Sequence, residues 1–248
     1  MDDELIAKAV AVIRQARKVI ALTGAGASTE SGIPDFRSKG GLWSRYDPLE
    51  YGTISAFRAD PRKVWGMLAE LTEIVEAEPN PGHYGLAAPE KTGHLKGIIT
   101  QNIDGLHQKA GSRTVVEYHG SLATFSCLTC GNRMSLAQVR RLVLPPRCSS
   151  CGSILKPDIV FFDEQIPPRA LAYSDELLSG ADCLIVAGTS GQVMPAALIP
   201  SRLAGQGGAI IEINREPVLG HLAGLVLAGS FAEIMNALAA ESSKSPGT

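Results

Sequence analysis

Four of the five cysteines fall as two pairs, Cys127-x-x-Cys130 and Cys148-x-x-Cys151, with 17 residues between them. Each C-x-x-C knuckle offers two sulfurs to one tetrahedral metal, and this spacing suits a four-thiolate zinc site. A disulfide framework is the alternative. It fits a small secreted domain better than a chain of 248 residues that shows no export signal. Four thiolates would leave zinc no open position, so the expected role is structural. Cys183 stands in the apolar run Asp182–Ala187 and reads as an inert core residue.

A second group runs from Thr23 to Trp43, TGAGASTESGIPDFRSKGGLW. Gly24, Ala25 and Gly26 follow the apolar run Lys18–Leu22 and carry nothing larger than a methyl, which suits a sharp turn and close approach to a phosphate. Ser28, Thr29 and Ser31 offer hydroxyls to the free amides of a helix start. This is half of a dinucleotide fingerprint, since Thr29 replaces the third glycine of G-x-G-x-x-G. A tight turn opening an ordinary helix explains it equally well. The next segment is more specific. Gly32-Ile33-Pro34-Asp35-Phe36-Arg37 sets a rigid turn, a carboxylate, an aromatic ring and a guanidinium side by side, and Ser38–Leu42 continues as a polar loop anchored at Trp43. That ordering suits a loop that closes over a cofactor.

His119 ends the apolar run Val115–Tyr118, and Gly120 after it leaves room for a ligand. An imidazole titrating near neutrality is a natural general base beside ribose hydroxyls, although most histidines are structural or exposed. His83, His94 and His221 lack such a setting, and His107 is expected to pack within its helix. Asn102 and Asp104 end another apolar run. They either cap the following helix or hold a planar polar group such as a carboxamide. Gln101, Gly188-Thr189-Ser190 and Asn214-Arg215-Glu216 add polar groups at strand ends. One cap explains any of these; their convergence on one edge is better explained by a nucleotide lying across it.

The elements that must position these groups recur as strand, polar loop, helix. Strands are predicted at Lys18–Leu22, Lys96–Thr100, Val115–Tyr118, Leu184–Ala187, Ala209–Ile213 and near Leu225–Leu227, with Lys156–Phe162 returning to the same sheet. Amphipathic spacing predicts helices over Leu5–Arg17, over Thr53–Glu78 with a break at Asp60-Pro61, up to Lys91, and over Phe231–Ala240. The tail from Ser242 to Thr248 is expected to be frayed. The repetition predicts an α/β fold, a doubly wound parallel sheet with ligands at the carboxyl ends of its strands. The zinc module, Ala123–Leu155, is a smaller insertion.

A net charge of −2 and a pI near 6.2 give no electrostatic basis for a nucleic-acid or anionic-membrane partner. No apolar run is long enough to span a bilayer, and the acidic start resembles neither a signal nor a transit peptide, so a cytoplasmic location is expected. No acidic residue ends the second strand about twenty positions after the glycines, which argues against hydride transfer.

Taken together, the residues resemble the sirtuin family of NAD-dependent protein-lysine deacylases. The likeness rests on Gly24–Ser28 with Ser31–Arg37, on Thr100–Asp104, on His119-Gly120, on the four cysteines and on Gly188-Thr189-Ser190, in the family's order. It implies a Rossmann-like NAD-binding domain of 1–34, 84–122 and 156–248, a cofactor-binding loop and helical module of 35–83, and a zinc module of 123–155. It places Ala25, Ser28, Arg37 and Ser190 at the phosphates, Gln101 at a ribose and Asn214 at the adenosine half, and counts Gly24, Gly26, Trp43, Ile103, Gly188, Thr189, Arg215, Glu216 and Ser230 among the other cofactor-binding residues. Ile33, Asn102 and Asp104 would line a nicotinamide pocket, with Asp35 nearby and Phe36 shielding the reactive face. In the implied reaction the acyl oxygen attacks the nicotinamide ribose, with Asn102 assisting, and His119 then takes a ribose hydroxyl proton. The products are lysine, nicotinamide and O-acyl-ADP-ribose. The acyl-lysine peptide would lie against Val160-Phe161-Phe162-Asp163-Glu164, its acyl chain beside Leu68 and Leu71.

Three positions depart from the family pattern. Asp163 stands where Gly is usual, Gly191-Gln192 replace apolar residues, and Leu68 and Leu71 occupy positions that hold Tyr and Arg in the desuccinylating branch. The first two bear on the peptide and the third on the acyl group. Transfer of ADP-ribose to protein and a non-enzymatic NAD-sensing module are the other functional classes, and His119 argues against the second. The sequence does not fix the oligomeric state; a monomer is compatible with it.

Overall fold

The mainly apolar runs of the sequence become strands, and three stretches that are more polar join them. In the computed structural model, which describes residues 2–243, these are β1 (Val19–Thr23), β2 (Leu95–Thr100), β3 (Val115–Glu117), β4 (Gly120–Ser126), β5 (Arg133–Ser135), β6 (Lys156–Ile159), β7 (Cys183–Ala187), β8 (Ala209–Asn214) and β9 (Leu225–Ala228). Six of them form a parallel sheet in the order β3-β2-β1-β7-β8-β9. Every residue of β1 and β7 is buried, as expected where helices cover both faces of a parallel sheet. Val19 and Ala21 pack with Ile6 and Val10 of the helix Asp3–Gln15 and with Phe231, Ile234 and Met235 of the helix Phe231–Ser243. Ile20 and Leu22 face the other layer, with Leu177, Leu178, Ile199 and Leu203. This is the doubly wound arrangement predicted. Its strand order reverses between β1 and β7, where such sheets open a crevice.

The glycines at that reversal serve the protein's own backbone. Gly26 N–H donates to Gly188 O at 2.8 Å, and a Cβ on Gly188, whose φ is 61°, would fall 2.1 Å from the Ala27 nitrogen. The turns after β1 and β7 therefore touch so closely that no side chain fits between them. The hydroxyls expected to cap a helix here do not, because residues Ala25–Ser31 form a 3-10 turn with no side-chain cap.

Residues 156–162 do not return to the parallel sheet. Lys156–Ile159 pairs antiparallel with β4 in a separate sheet of order β5-β4-β6. Pro157, which lacks an N–H, is tolerated there because β6 is an edge strand. The helical insertion and the cysteine-bearing insertion share one core: Val64, Met67 and Leu68 of the helix Pro61–Glu73 pack with Leu122, Phe125 and Leu155. Trp65 lies at its centre, stacked on Phe125 at 6.0 Å and donating its indole N–H to Leu155 O at 2.8 Å. Asp60 accepts from Arg62 N and Lys63 N with Pro61 at the first helical position, the start expected there. The final helix continues through Ser243, so Ser242 and Ser243 are helical; residues 244–248 of the tail lie outside the described residues. Among the described residues no helix is long and apolar enough to cross a membrane.

Because Trp65 joins both insertions, Trp65→Ala should lose about 3–5 kcal/mol of stability and loosen the cysteine knuckles with it. Denaturant unfolding alongside metal retention checks this. Full retention of metal in a destabilised variant would separate the two insertions.

Candidate active site

A cleft of about 1150 Å³ opens at the carboxyl edge of the parallel sheet, between it and the smaller unit. Half-buried His119 lies on its wall. Its Nδ1 sits 3.2 Å from Gln101 O. A carbonyl oxygen can only accept, so Nδ1 carries the proton and Nε2 keeps the lone pair. Burial pushes the His119 pKa below the ordinary histidine value, the Gln101 carbonyl partly opposing the shift. A neutral imidazole with one fixed tautomer and a free nitrogen is a base in waiting. Gly120 serves packing here instead of making room for a ligand: a Cβ on it would lie 2.1 Å from Asp158 O.

The polar residues at the end of β2 divide into two layers. Gln101, Asn102 and Ile103 line the cleft, as do Gly24, Ala25, Gly26 and Ile33. Ser28 and Asp104 lie behind them, both buried. Ser28 Oγ donates to Asp104 Oδ2 at 2.7 Å and accepts from Asn102 Nδ2 at 3.0 Å, while Asn102 Nδ2 also reaches Gly24 O at 3.1 Å. Asp104 Oδ1 accepts from Leu106 N at 2.9 Å at the entry to the short helix, whose N-cap is Gly105 with no side-chain cap. Neither Ser28 nor Asp104 meets the cleft, contrary to the expectation of direct ligand contact, because each satisfies the other.

On the opposite wall Gly188, Thr189, Ser190, Asn214, Arg215 and Glu216 line the cleft. Gln101 Nε2 donates to Thr189 Oγ1 at 2.9 Å and Asn214 Nδ2 to Thr189 O at 3.2 Å. Behind them Glu212 is wholly buried and accepts from Asn214 Nδ2, Val218 N and Leu219 N at 2.9, 2.6 and 3.2 Å. Sequence reasoning missed it; a lone carboxylate inside the apolar run Ala209–Ile213 was the available signal. Ser230 is not on the cleft wall. Its Oγ accepts from Glu233 N at 3.2 Å, at the start of the final helix.

The loop after the glycines forms the cleft's roof. Asp35 Oδ1 accepts from Arg37 N and Ser38 N, Arg37 Nη1 donates to Gln192 Oε1 at 3.0 Å, and the rings of Phe36, Trp43 and Phe162 follow one another at 5.5 and 6.0 Å. The segment Val160–Glu164 forms another wall. Lys156 Nζ, almost fully buried, fastens it by contacts to Pro157 O, Ile159 O and Glu164 Oε2 at 3.2, 2.7 and 2.9 Å. Leu71 lines the cleft beside Met67. Leu68 does not: it points into the shared core and is fully buried.

The cysteine sulfurs of Cys127, Cys130, Cys148 and Cys151 all lie within 4.8 Å of one another. Zinc–sulfur bonds of about 2.3 Å at tetrahedral angles need sulfurs roughly 3.8 Å apart. Cys127 to Cys151 at 3.4 Å and Cys130 to Cys148 at 3.5 Å fit that requirement. Cys183 is buried in β7, away from this group.

His83 and His107 form a buried pair, their rings 4.8 Å apart; His107 packs within its helix as expected, while the burial of His83 was not foreseen. His83 Nδ1 accepts from Asn80 N at 3.2 Å in a capping box, and His107 Nε2 contacts Thr23 Oγ1 at 2.8 Å. Burial lowers His83 to about 4 with nearby Asp104 opposing, and burial with the neighbouring His83 lowers His107 to about 3. Both are neutral when folded and return to about 6.5 when unfolded. As pH falls through about 6.5 the unfolded chain therefore takes up protons that the folded chain refuses until about pH 4 and below, and stability drops over that window. The expected loss by about pH 4 is on the order of 5 kcal/mol. Urea unfolding across the window, with NMR titration of the imidazoles, measures it; ring signals titrating near the unperturbed value would contradict it.

Three comparisons bear on this geometry. The Sir2 family model matches residues 24–195. The chain is 43% identical over 240 residues to the NAD-dependent protein deacylase 1 of Archaeoglobus fulgidus, covering 96% of each. A Sir2 homologue mutant in complex with ADP-ribose superposes with a TM-score of 0.90 at 42% identity, covering 95% of each chain. A Sir2 complex with a deacetylated peptide and 3′-O-acetyl ADP-ribose superposes with a TM-score of 0.91 at 33% identity, covering 95% of this chain and 98% of that one.

Proposed function

The chain belongs to the Sir2 family, and on that premise we propose that it is an NAD-dependent protein-lysine deacylase with His119 as its general base. The observation that carries the role is the fixed tautomer, Nδ1 held by Gln101 O at 3.2 Å with Nε2 left free on the cleft wall. NAD, consumed as co-substrate, supplies the electrophilic ribose carbon and the nicotinamide leaving group. Asn102 keeps its side-chain oxygen available, since both hydrogen bonds of the amide use Nδ2. In this reading it orients the reacting end of the cofactor together with Ile33 and Ile103. Arg37 and the turns at Gly24–Gly26 and Gly188–Ser190 receive the phosphates, and Gln101 a ribose. Asn214, Arg215 and Glu216 take the adenosine half, with Glu212 holding that loop from behind. The aromatic run Phe36, Trp43 and Phe162 excludes water from the reacting centre.

The acyl oxygen displaces nicotinamide at the ribose carbon to give an imidate. His119 then removes a ribose hydroxyl proton so that the hydroxyl oxygen attacks the imidate carbon. Lysine leaves as its amine, and one water added afterwards supplies the oxygen that completes O-acyl-ADP-ribose. The four cysteines would hold zinc as a structural ion that takes no part in a step. Thiolates held for a metal suit a reducing compartment, and the reading places the protein in the cytoplasm. Every residue it uses comes from one chain, and it calls for no nucleic acid.

Acetyl-lysine peptide, NAD and protein together should yield nicotinamide and O-acetyl-ADP-ribose, detected by mass spectrometry. His119→Ala should lower kcat by about 10²–10⁴ with NAD still bound. Because the base must be neutral and its pKa is depressed, kcat/KM should rise with pH along an acid limb below about 6.5. Turnover near that of the native protein in the variant would remove His119 from the mechanism.

With Leu68 in the core, the apolar wall for the acyl group consists of Leu71 and Met67. Neither can pair a succinyl carboxylate, whose unpaired burial costs several kcal/mol. Each buried methylene of a neutral chain gains about 0.8 kcal/mol where space allows. Comparing kcat/KM for acetyl-, butyryl- and succinyl-lysine forms of one peptide should therefore rank succinyl last. Succinyl as the best substrate would refute this wall.

A further inference from the structure

The mouth of the cleft exposes apolar side chains that the fold itself leaves uncovered: Phe162 is 37%, Met194 61% and Val218 43% exposed, and all three line the cleft. On the deacylase reading, a polypeptide delivering an acyl-lysine to His119 has to cross this mouth. Within the wall Val160–Glu164 most backbone groups are already committed. Val160 N donates to His119 O, Phe161 N to Glu164, and Phe162 N to Gly52 O, while Phe162 O accepts from Ile54 N. At Asp163 the backbone N–H and C=O and the carboxylate have no partner among the described residues, and the residue is exposed.

The other charged groups of the wall are mostly occupied. Glu164 pairs with Lys156 and Arg215 with Glu30; Asp35 accepts from its own loop, and Arg37 donates to Gln192. Lys39 on the roof loop and Glu216 after β8 have no partner among the described residues, but both sit on segments other than the Phe162–Asp163 stretch. Asp163 also has a φ of 66°, the only positive value among the described residues other than glycine. A carboxylate is thus displayed on a rigidly anchored strand end beside the apolar mouth.

We propose that Asp163 is a specificity-determining residue that selects protein substrates with a cationic residue next to the acyl-lysine. An exposed carboxylate attracts a neighbouring Arg or Lys and repels a neighbouring Glu, and salt screens both effects. The cofactor lies along the other walls, so NAD binding is independent of this choice.

The test uses acetyl-lysine peptides that differ only in carrying Arg, Ala or Glu at positions flanking the acetyl-lysine. The native protein should favour Arg over Glu by about fivefold in kcat/KM at one or more of these positions at low salt. In Asp163→Asn the ratio should fall below about twofold, as it should for the native protein near 1 M salt. The KM for NAD should stay unchanged. Asn preserves the shape and tolerates the left-handed backbone, so the variant keeps its fold. Asp163→Lys should invert the preference. An Arg-over-Glu ratio that survives Asp163→Asn, or a native protein indifferent to the flanking charge, overturns the proposal. Deacetylation of the Ala peptide keeps the two readings apart: its absence sinks the deacylase reading, and its presence without a charge preference sinks only this one.

Discussion

The contact between two turns, one after β1 and one after β7, is the constraint on which the rest of the molecule depends. Gly26 and Gly188 meet backbone to backbone, at a separation no side chain permits. That contact joins the two halves of the sheet where their winding reverses, and it fixes the floor of the cleft. Other groups are then referenced to it. Asn102 reaches Gly24 O, and Asn80, which starts the helix Pro81–Lys91, reaches Ala27 O at 2.8 Å. A shift of either turn would displace the amide side chain at the reacting end and the helix that carries His83 together.

Behind the wall the polar groups are used up on one another. Ser28 and Asp104 bond to each other, Ser28 also bonds to Asn102 in front of them, and Thr23 links Thr100 to His107. Such networks act as supports: they leave little freedom to the residues in front, which a site needs if it is to meet a transition state already oriented. Buried neutral histidines belong to this layer. They fill the volume under the floor without bringing a charge near the cofactor.

Much of this was legible in the sequence, for identifiable reasons. The strands could be read because a sheet covered on both faces demands unbroken apolar runs, and the helix start at Asp60-Pro61 because capping chemistry is local. The four cysteines declared themselves by spacing. Residues whose role depends on a distant partner could not be placed this way. Ser28 looked like a phosphate ligand until Asp104, 76 positions away, claimed its hydroxyl. Leu68 and Leu71 share a helical stripe, and only the packing around Trp65 turns one inward and the other to the cleft. Lys156–Phe162 read as one more strand of the large sheet because apolar content does not say which sheet a strand will join. Glu212 and His83 were invisible in this sense, since burial of a titratable group is a property of the fold.

The sealed carboxylate of Glu212 has a consequence for how the two ends of a long ligand are received. Through Val218 and Leu219 it pins the loop that follows β8 from a position that is itself closed to water. The roof loop at 35–41 is closed at its base by backbone bonds from Leu42 N to Asp35 O and Trp43 N to Phe36 O, and its outer part is tied across the cleft by the solvent-exposed bond of Arg37 to Gln192. One end of the cleft is thus a preset mould and the other a pliable flap. The entropic toll of ordering falls almost wholly on the flap, so a ligand would seat its far end first and draw the flap down over its reactive end afterwards.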